Sequence, residues 1–255
     1  SKQTKIGYTF LTYPQNDKKI DAIIFGLILF YFDKIVFVST NLKDIFKKLY
    51  GYNFKERTKI IRPAIRMDDS IVESAVEKNK TILVAGLFSN KTNALGCKLI
   101  IDSFNEIKDE FKDFNILFLG EGQYKKHVEN YSSQIGLESR LIFKGFVNNM
   151  SHYLSTSSFL LYASFGTGTP LTIIEAMSLK CTVLASKCGG IPEMIKHDHE
   201  CLLFNNNKQD LISKMRYCLE NSDFSNSLAD NAYLRYLNEY TLDKIGNDYY
   251  SLIKA

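Results

Sequence analysis

The sequence has no apolar run long enough to cross a bilayer. The longest, residues 22–32, is eleven residues and is ended by Asp33-Lys34, about half of the ~20 residues that a spanning helix needs. A buried helix is the expected reading, with docking onto a membrane surface as the alternative. No secretory leader is visible, and a first residue of Ser rather than Met is expected of a processed or partial product. Cysteine is present without a pattern: Cys97, Cys181, Cys188, Cys201 and Cys218 are odd in number and form no Cys-x-x-Cys or Cys/His cluster. Free thiols in a reducing, cytoplasmic compartment are therefore expected, rather than a disulfide framework or a zinc site. Among the histidines, His127, His152, His197 and His199, only the pair His197-x-His199 is closely spaced, and it reads as solvated loop rather than metal ligand. Neither sign of charge dominates. The net charge of +4 is too weak for a nucleic-acid footprint, and no surface of interleaved aromatic and basic residues is apparent. It suits a phosphate-bearing ligand or an anionic membrane face. The absence of Trp is a compositional bias without functional content. What remains is a mixed chain of 255 residues, 45% hydrophobic and 24% charged, enough for one large or two modest domains.

The informative part lies between Phe159 and Ile195, FLLYASFGTGTPLTIIEAMSLKCTVLASKCGGIPEMI. Residues 159–163 are an apolar run of strand length, and 164–170 form a loop of Gly, Thr and Ser. Residues 171–179 place apolar side chains at helical spacing around Glu175. A second short strand spans 182–186. Gly189-Gly190 turns the chain, and Pro192 opens another helix at its first position. In open parallel sheets, ligands occupy the crevice outside the carboxyl ends of the strands, beside helix N-termini. Both loops lie at such ends, which places the chemistry here.

The rest reads as alternating strands and helices. Ile6–Tyr13 is a short strand before Pro14, 20–32 an apolar helix, and Lys34–Val38 a strand buried on both faces. Asn41–Leu49 is an amphipathic helix stopped by Gly51. Further strands are expected at 82–86, 115–119, 140–143 and 201–204. Helices are expected at 94–107 (Leu95, Leu99, Ile100 and Phe104 inward), 124–135, 150–156, 209–219 and 226–236, with a last one N-capped by Thr241.

In order and spacing, these motifs resemble retaining glycosyltransferases of the GT-B group, family 4 (glycosyl transferases group 1), which includes glycogen synthase and many bacterial lipopolysaccharide and capsule sugar transferases. The matching residues are Ser164-Phe165-Gly166-Thr167-Gly168-Thr169-Pro170, Glu175-Ala176-Met177, Val183-Leu184-Ala185-Ser186 and Gly189-Gly190-Ile191-Pro192-Glu193. Phe32–Ser39 resembles the last strand of the family's first domain, Lys59–Ile65 its interdomain strand and linker, and Gly120-Glu121-Gly122 its Gly-(Asp/Glu)-Gly turn. The resemblance covers about residues 33 to 255.

The resemblance implies an α/β fold of GT-B type. Residues 1–63 would be a remnant of the N-terminal, acceptor-side Rossmann-like domain, 64–222 a complete donor domain, and 223–255 helices crossing back to the N-terminal part. It implies that Glu175 accepts the ribose hydroxyls, which suits a carboxylate because it offers two acceptor oxygens to a vicinal diol. Gly86 and Lys91 would face the diphosphate, with a solvated loop lysine as the alternative for Lys91. Gly120 and Glu121 would border the ligand, and Gly145, Phe146 and Val147 the base. Gly168, Thr169, Pro170 and Leu171 would form the helix entry that receives phosphate or sugar oxygens.

The chain also departs from the pattern. Thr167 stands where the family has the first of two glutamates eight positions apart, the one that contacts the transferred sugar. Leu87 and Thr92 replace the Arg and Lys that neutralise the diphosphate, Ala64 replaces an Asn, and Lys180 and Thr182 replace Gly and Pro. A Thr hydroxyl can bond a sugar but cannot offset developing oxocarbenium charge. The expected activity is retaining transfer of a hexose-type sugar from a UDP-, GDP- or ADP-sugar to a glycan or lipid-linked acceptor. With no Asp-x-Asp in the sequence, it would use no metal or other cofactor, in the cytoplasm or peripherally on the membrane's cytoplasmic face. The alternative is a non-catalytic sugar-nucleotide-binding or partner subunit of a transferase complex. A sugar-nucleotide epimerase on the same architecture fits less well.

Overall fold

Short apolar runs separated by amphipathic helices build two parallel sheets. The structure, a computed structural model, describes residues 6–10, 32–51, 57–66, 78–86, 88–166 and 168–254. The expected apolar helix at 20–32 therefore lies outside the described residues, apart from Phe32, and so do Leu87 and Thr167.

The first sheet has three parallel strands in the order β1 (Ile6–Phe10), β2 (Lys34–Phe37) and β3 (Thr58–Ile60). Between β2 and β3 runs α1 (Thr40–Tyr50), which buries Leu42 and Phe46. Ser39 caps it by accepting from the Leu42 N–H at 3.1 Å, and Gly51 ends it at φ 70°, the left-handed turn that glycine adopts without steric cost. Residues 61–66 then lead to the second sheet.

That sheet has six parallel strands in the order β6-β5-β4-β7-β8-β9: β4 (Asn79–Ala85), β5 (Asn115–Leu119), β6 (Leu141–Gly145), β7 (Ser157–Tyr162), β8 (Val183–Ser186) and β9 (Leu202–Phe204). The intervening helices are α2 (Lys91–Ile107), α3 (Lys125–Gln134), α4 (Met150–Thr156), α5 (Leu171–Ser178), α6 (Ile191–Met194) and α7 (Lys208–Glu220). Two helices, α8 (Ser222–Glu239) and α9 (Leu242–Lys254), complete the described chain.

Helices cover both faces of the second sheet, which is why its strands read as continuous apolar runs. Along β4 the side chains still alternate. Ile82 and Val84 join Cys97, Ile100 and Phe104 of α2 and Met215 of α7. Leu83 and Ala85 join Ile173 and Met177 of α5 and Ala232 and Tyr236 of α8. Helix α9 packs elsewhere: its Ile245 and Leu252 meet Val36 of β2 and Ile61.

Several boundaries and placements differ from the sequence reading. Leu95 is 46% exposed. It follows Ala94 on the buried face of α2, and the helical advance of about 100° per residue turns it outward. Pro192 is the second residue of α6, because Gly190 is its N-cap. Helix α8 outruns the expected 226–236 at both ends. His197 is not simply solvated: its Nδ1 accepts the Leu203 N–H at 3.2 Å. Lys180, standing where the resembled pattern has Gly, takes φ 50°, and the buried Thr182 hydroxyl donates to the Ser225 carbonyl at 2.8 Å.

Candidate functional site: the crevice between β4 and β7

The order of the six-stranded sheet reverses between β4 and β7, with β5 and β6 on one side and β8 and β9 on the other. Chains leaving the carboxyl ends of β4 and β7 diverge there, opening the crevice in which open α/β sheets hold ligands. The loop at 164–170 borders it, and the Gly189-Gly190 turn after β8 packs behind that loop, with the Gly190 N–H donating to the Gly168 carbonyl at 3.3 Å.

On the β4 side, the main chain is tied edge to edge. The Gly86 N–H donates to the Leu119 carbonyl at 3.0 Å, and the Gly120 N–H to the Gly145 carbonyl at 2.7 Å. Gly145 has φ 81°, a left-handed backbone that L side chains rarely adopt, and a Cβ there would meet the mobile end of the Glu121 side chain. Glu121 itself pairs with Lys125 at 2.7 Å. Phe146, next in the loop, is 75% exposed, whereas Val147 packs partly buried against the α5 side of the core.

On the β7 side, Ser164 organises the loop. Its N–H donates to Ser186 Oγ at 2.9 Å and its hydroxyl to Asn93 Oδ1 at 2.9 Å, while that same hydroxyl accepts the Gly166 N–H at 3.0 Å. The Ser164 carbonyl accepts from the Ser186 hydroxyl, the Cys188 thiol and the Asn206 amide. Beyond Gly168, Thr169 and Pro170 begins α5. No side chain hydrogen-bonds its first turn among the described residues, that turn holds no acidic residue, and Leu171 is exposed. Such an end offers unpaired N–H groups and the positive end of the helix dipole. Its Thr172 faces Gly86 across the crevice, with the hydroxyl 4.0 Å from where a Gly86 Cβ would lie.

Glu175 projects from the next turn of α5. It is half-buried, and among the described residues its carboxylate has no hydrogen-bond or ion-pair partner. Burial pushes its pKa above the ordinary glutamate value, because desolvation penalises the charged form. It lines a cavity of about 100 Å³ with Ile65 and Arg66 of the connecting segment and Met150 and Leu154 of α4.

The structure thus brings Gly86, Gly120, Glu121, Gly145, Phe146 and Val147 together on one side and Gly168, Thr169, Pro170 and Leu171 on the other, while Glu175, one turn further along α5, lines the cavity with Ile65 and Met150. Lys91 is placed differently. It lines a separate groove of about 520 Å³ between α2 and α3, with Lys98, His127 and Tyr131. Its neighbour Thr92 faces the crevice loop instead, its hydroxyl 3.6 Å from where a Gly166 Cβ would lie. Thr167, the other residue expected to carry chemistry, lies outside the described residues. The sequence reading did not single out Asn93, Thr172 and Asn206, and took Ser186 only as part of a motif; all four hold or face the loops.

A family model described as "Glycosyl transferases group 1" matches residues 79–221. Among curated proteins, the chain is 25% identical over 201 residues to an uncharacterized glycosyltransferase of Methanocaldococcus jannaschii, a match covering 78% of this chain and 53% of that protein. It is 29% identical over 191 residues to the capsular polysaccharide biosynthesis glycosyltransferase CapH of Staphylococcus aureus, covering 73% and 50%. The chain spans about half the length of the curated relatives it matches. In fold it is similar to Anabaena HepE, solved in complex with UDP and glucose, at a TM-score of 0.82 and 18% identity, covering 98% of this chain and 71% of that one. It is also similar to WaaG, a glycosyltransferase involved in lipopolysaccharide biosynthesis, at 0.69 and 17%, covering 86% and 62%.

Proposed function

We propose a donor-binding role in sugar transfer for a chain that belongs to the group 1 glycosyl transferases and has an α/β fold of GT-B type. The crevice binds a nucleotide-diphosphate sugar (UDP-, GDP- or ADP-linked). The complete protein transfers its hexose-type sugar, with retention of configuration, to a glycan or lipid-linked acceptor. Glu175 carries this reading: a half-buried carboxylate without a protein partner among the described residues, beside an uncapped helix N-terminus. A ribose diol would give its two oxygens the hydrogen bonds they lack. The N–H groups opening α5 would receive phosphate oxygens, and the exposed Phe146 ring would flank the base. Relatives named for capsular polysaccharide and O-antigen biosynthesis support an acceptor of the same class. The reaction is proposed to need no metal and to take place in the cytoplasm or at the cytoplasmic face of the membrane.

The position of Thr92, an uncharged side chain where the pattern has a diphosphate-binding Lys, favours a second reading. In it the chain binds the nucleotide sugar without turning it over, as a partner subunit. Two measurements separate the readings. First, the chain is melted with UDP, GDP, ADP and their common hexose conjugates. Ligand at 100 times its dissociation constant stabilises by about 2.7 kcal/mol, so the transferase and partner readings both expect a shift that depends on the base, and no shift with any nucleotide sinks both. Second, turnover of a labelled donor by the full-length protein decides between them. Thr167→Glu is expected to raise that turnover. A lower rate would make Thr167 a working adaptation.

A further inference from the structure

Helix α6 touches more of the molecule than four residues would lead one to expect. Gly190, just before it, donates its N–H to the Gly168 carbonyl at 3.3 Å. A Cβ on Gly190 would stand 2.7 Å from Thr169 Oγ1 and 3.2 Å from Ser39 Oγ. The turn is therefore wedged between the crevice loop and the N-cap of α1. Glu193 extends this contact across to the first sheet. Its Oε2 accepts the Thr40 N–H at 2.7 Å and its Oε1 the Asn41 N–H at 2.6 Å. Helix α1 has no acidic residue in its first turn, whereas Lys47 and Lys48 occupy its last. The anion favoured at a helix N-terminus thus comes from the second sheet, more than 150 residues away along the chain. The Glu193 carbonyl in turn accepts from the guanidinium of Arg62, in the connecting segment, and from that of Arg235 on α8, each at 3.3 Å.

We infer that Glu193 is a positioning residue whose carboxylate fixes the N-terminus of α1 against the crevice loop, so that this bidentate contact, together with the packing of α9 on β2 and Ile61, sets the placement of the two sheets. The consequence for transfer rests on the function proposed above: Glu193 keeps the acceptor side in register over Gly168 and Thr169, and its loss lets that side shift although α9 still packs on β2.

Two variants of the full chain test this from opposite sides. Glu193→Gln keeps the size but presents an amide donor to one of the two N–H groups. Thr40→Pro removes one donor without touching α6. Ser39 is extended, at φ −153° and ψ 156°, which is what a residue before proline adopts. Thr40 is exposed and sits at the first helical position, where proline is tolerated, so α1 itself is preserved. Residue-resolved amide exchange is expected to accelerate about tenfold or more at Thr40 and Asn41 in Glu193→Gln, and at Asn41 in Thr40→Pro. Lys43, which donates to the Ser39 carbonyl, keeps its rate. Small-angle scattering should show a larger radius of gyration in both variants. Unchanged exchange would overturn the contact, and faster exchange with unchanged scattering would overturn the positioning role. In turnover, kcat falls while the donor KM and the nucleotide-induced melting shift hold. A matching loss of nucleotide affinity would count against the inference. If the unmodified chain shows no nucleotide-induced shift, the donor reading fails, and the exchange and scattering measurements still decide the role of Glu193.

Discussion

Glu175 combines two properties that pull against each other in the ligand-free chain. Its carboxylate is suited to a diol, and its burial makes that charge costly. Because its folded-state pKa is raised, its contribution to stability is fully present below the unfolded-state pKa and is lost as pH rises through the folded value. Glu175→Gln, which cannot ionise, should therefore raise the ligand-free melting temperature at neutral pH. That gain should vanish below the ordinary glutamate range, as a series of melts across pH would show. Ligand binding should move the other way. Glu175→Ala is expected to weaken nucleotide binding by about tenfold or more, the worth of hydrogen bonds to a charged group, measured by titration calorimetry. In the unmodified chain, affinity should fall on acidification as Glu175 protonates, and the Gln variant should lack that limb.

At the scale of elements, the second sheet was largely legible in the sequence. Strand 115–119 and helix 150–156 fall where they were expected, because apolar runs and helical spacing are local signals. Glu175 and the glycines of the crevice were equally accessible, since a turn that must pass close to other main chain selects its residue locally. Contacts made across the fold were not. Leu95 reads as core, yet it faces outward. Asn93, by contrast, is drawn into the Ser164 loop by a partner 71 residues away. The orientation of Lys91 away from Thr92 likewise depends on where α2 begins, and its N-cap, Asn90, lies four residues before the expected start at Ala94.

Helix α2 also supports a prediction. Gly96 lies inside it, where Ala would be preferred by about 1 kcal/mol on helix propensity alone. But a Cβ there would collide with the backbone carbonyl of Ala163, at the end of β7 and next to Ser164. Gly96→Ala is therefore expected to destabilise by about 1–3 kcal/mol, the usual cost of overpacking. The change should appear as a lower urea midpoint at unchanged slope.

At the scale of the molecule, the family match ends at residue 221, but the core does not. Ala232, Tyr236 and Tyr240 are buried against α5, β8 and α6, and the Tyr240 hydroxyl donates to the Met194 carbonyl at 2.7 Å. A chain ending at residue 221 is expected to expose this face, bind a hydrophobic dye and aggregate. If it instead stays monomeric with the melting temperature of the full chain, α8 is an ornament rather than part of the core. The Arg62 guanidinium pairs with Glu239 of the same helix, so its loss should also loosen the segment that joins the two sheets.

The strand order that opens the crevice also dates its construction. Ile82 on one wall pairs with Phe159 on the other, and β5, β6 and three helices are strung between them. Closing so long a loop must precede any reward from the pairing. During synthesis, the first wall therefore emerges and waits while the ribosome makes everything up to β7. A nascent chain halted before β7 carries the glycine-lined wall with nothing opposite it, and under the proposed donor-binding role nucleotide would act as a folding ligand only once the second wall and Glu175 have left the exit tunnel.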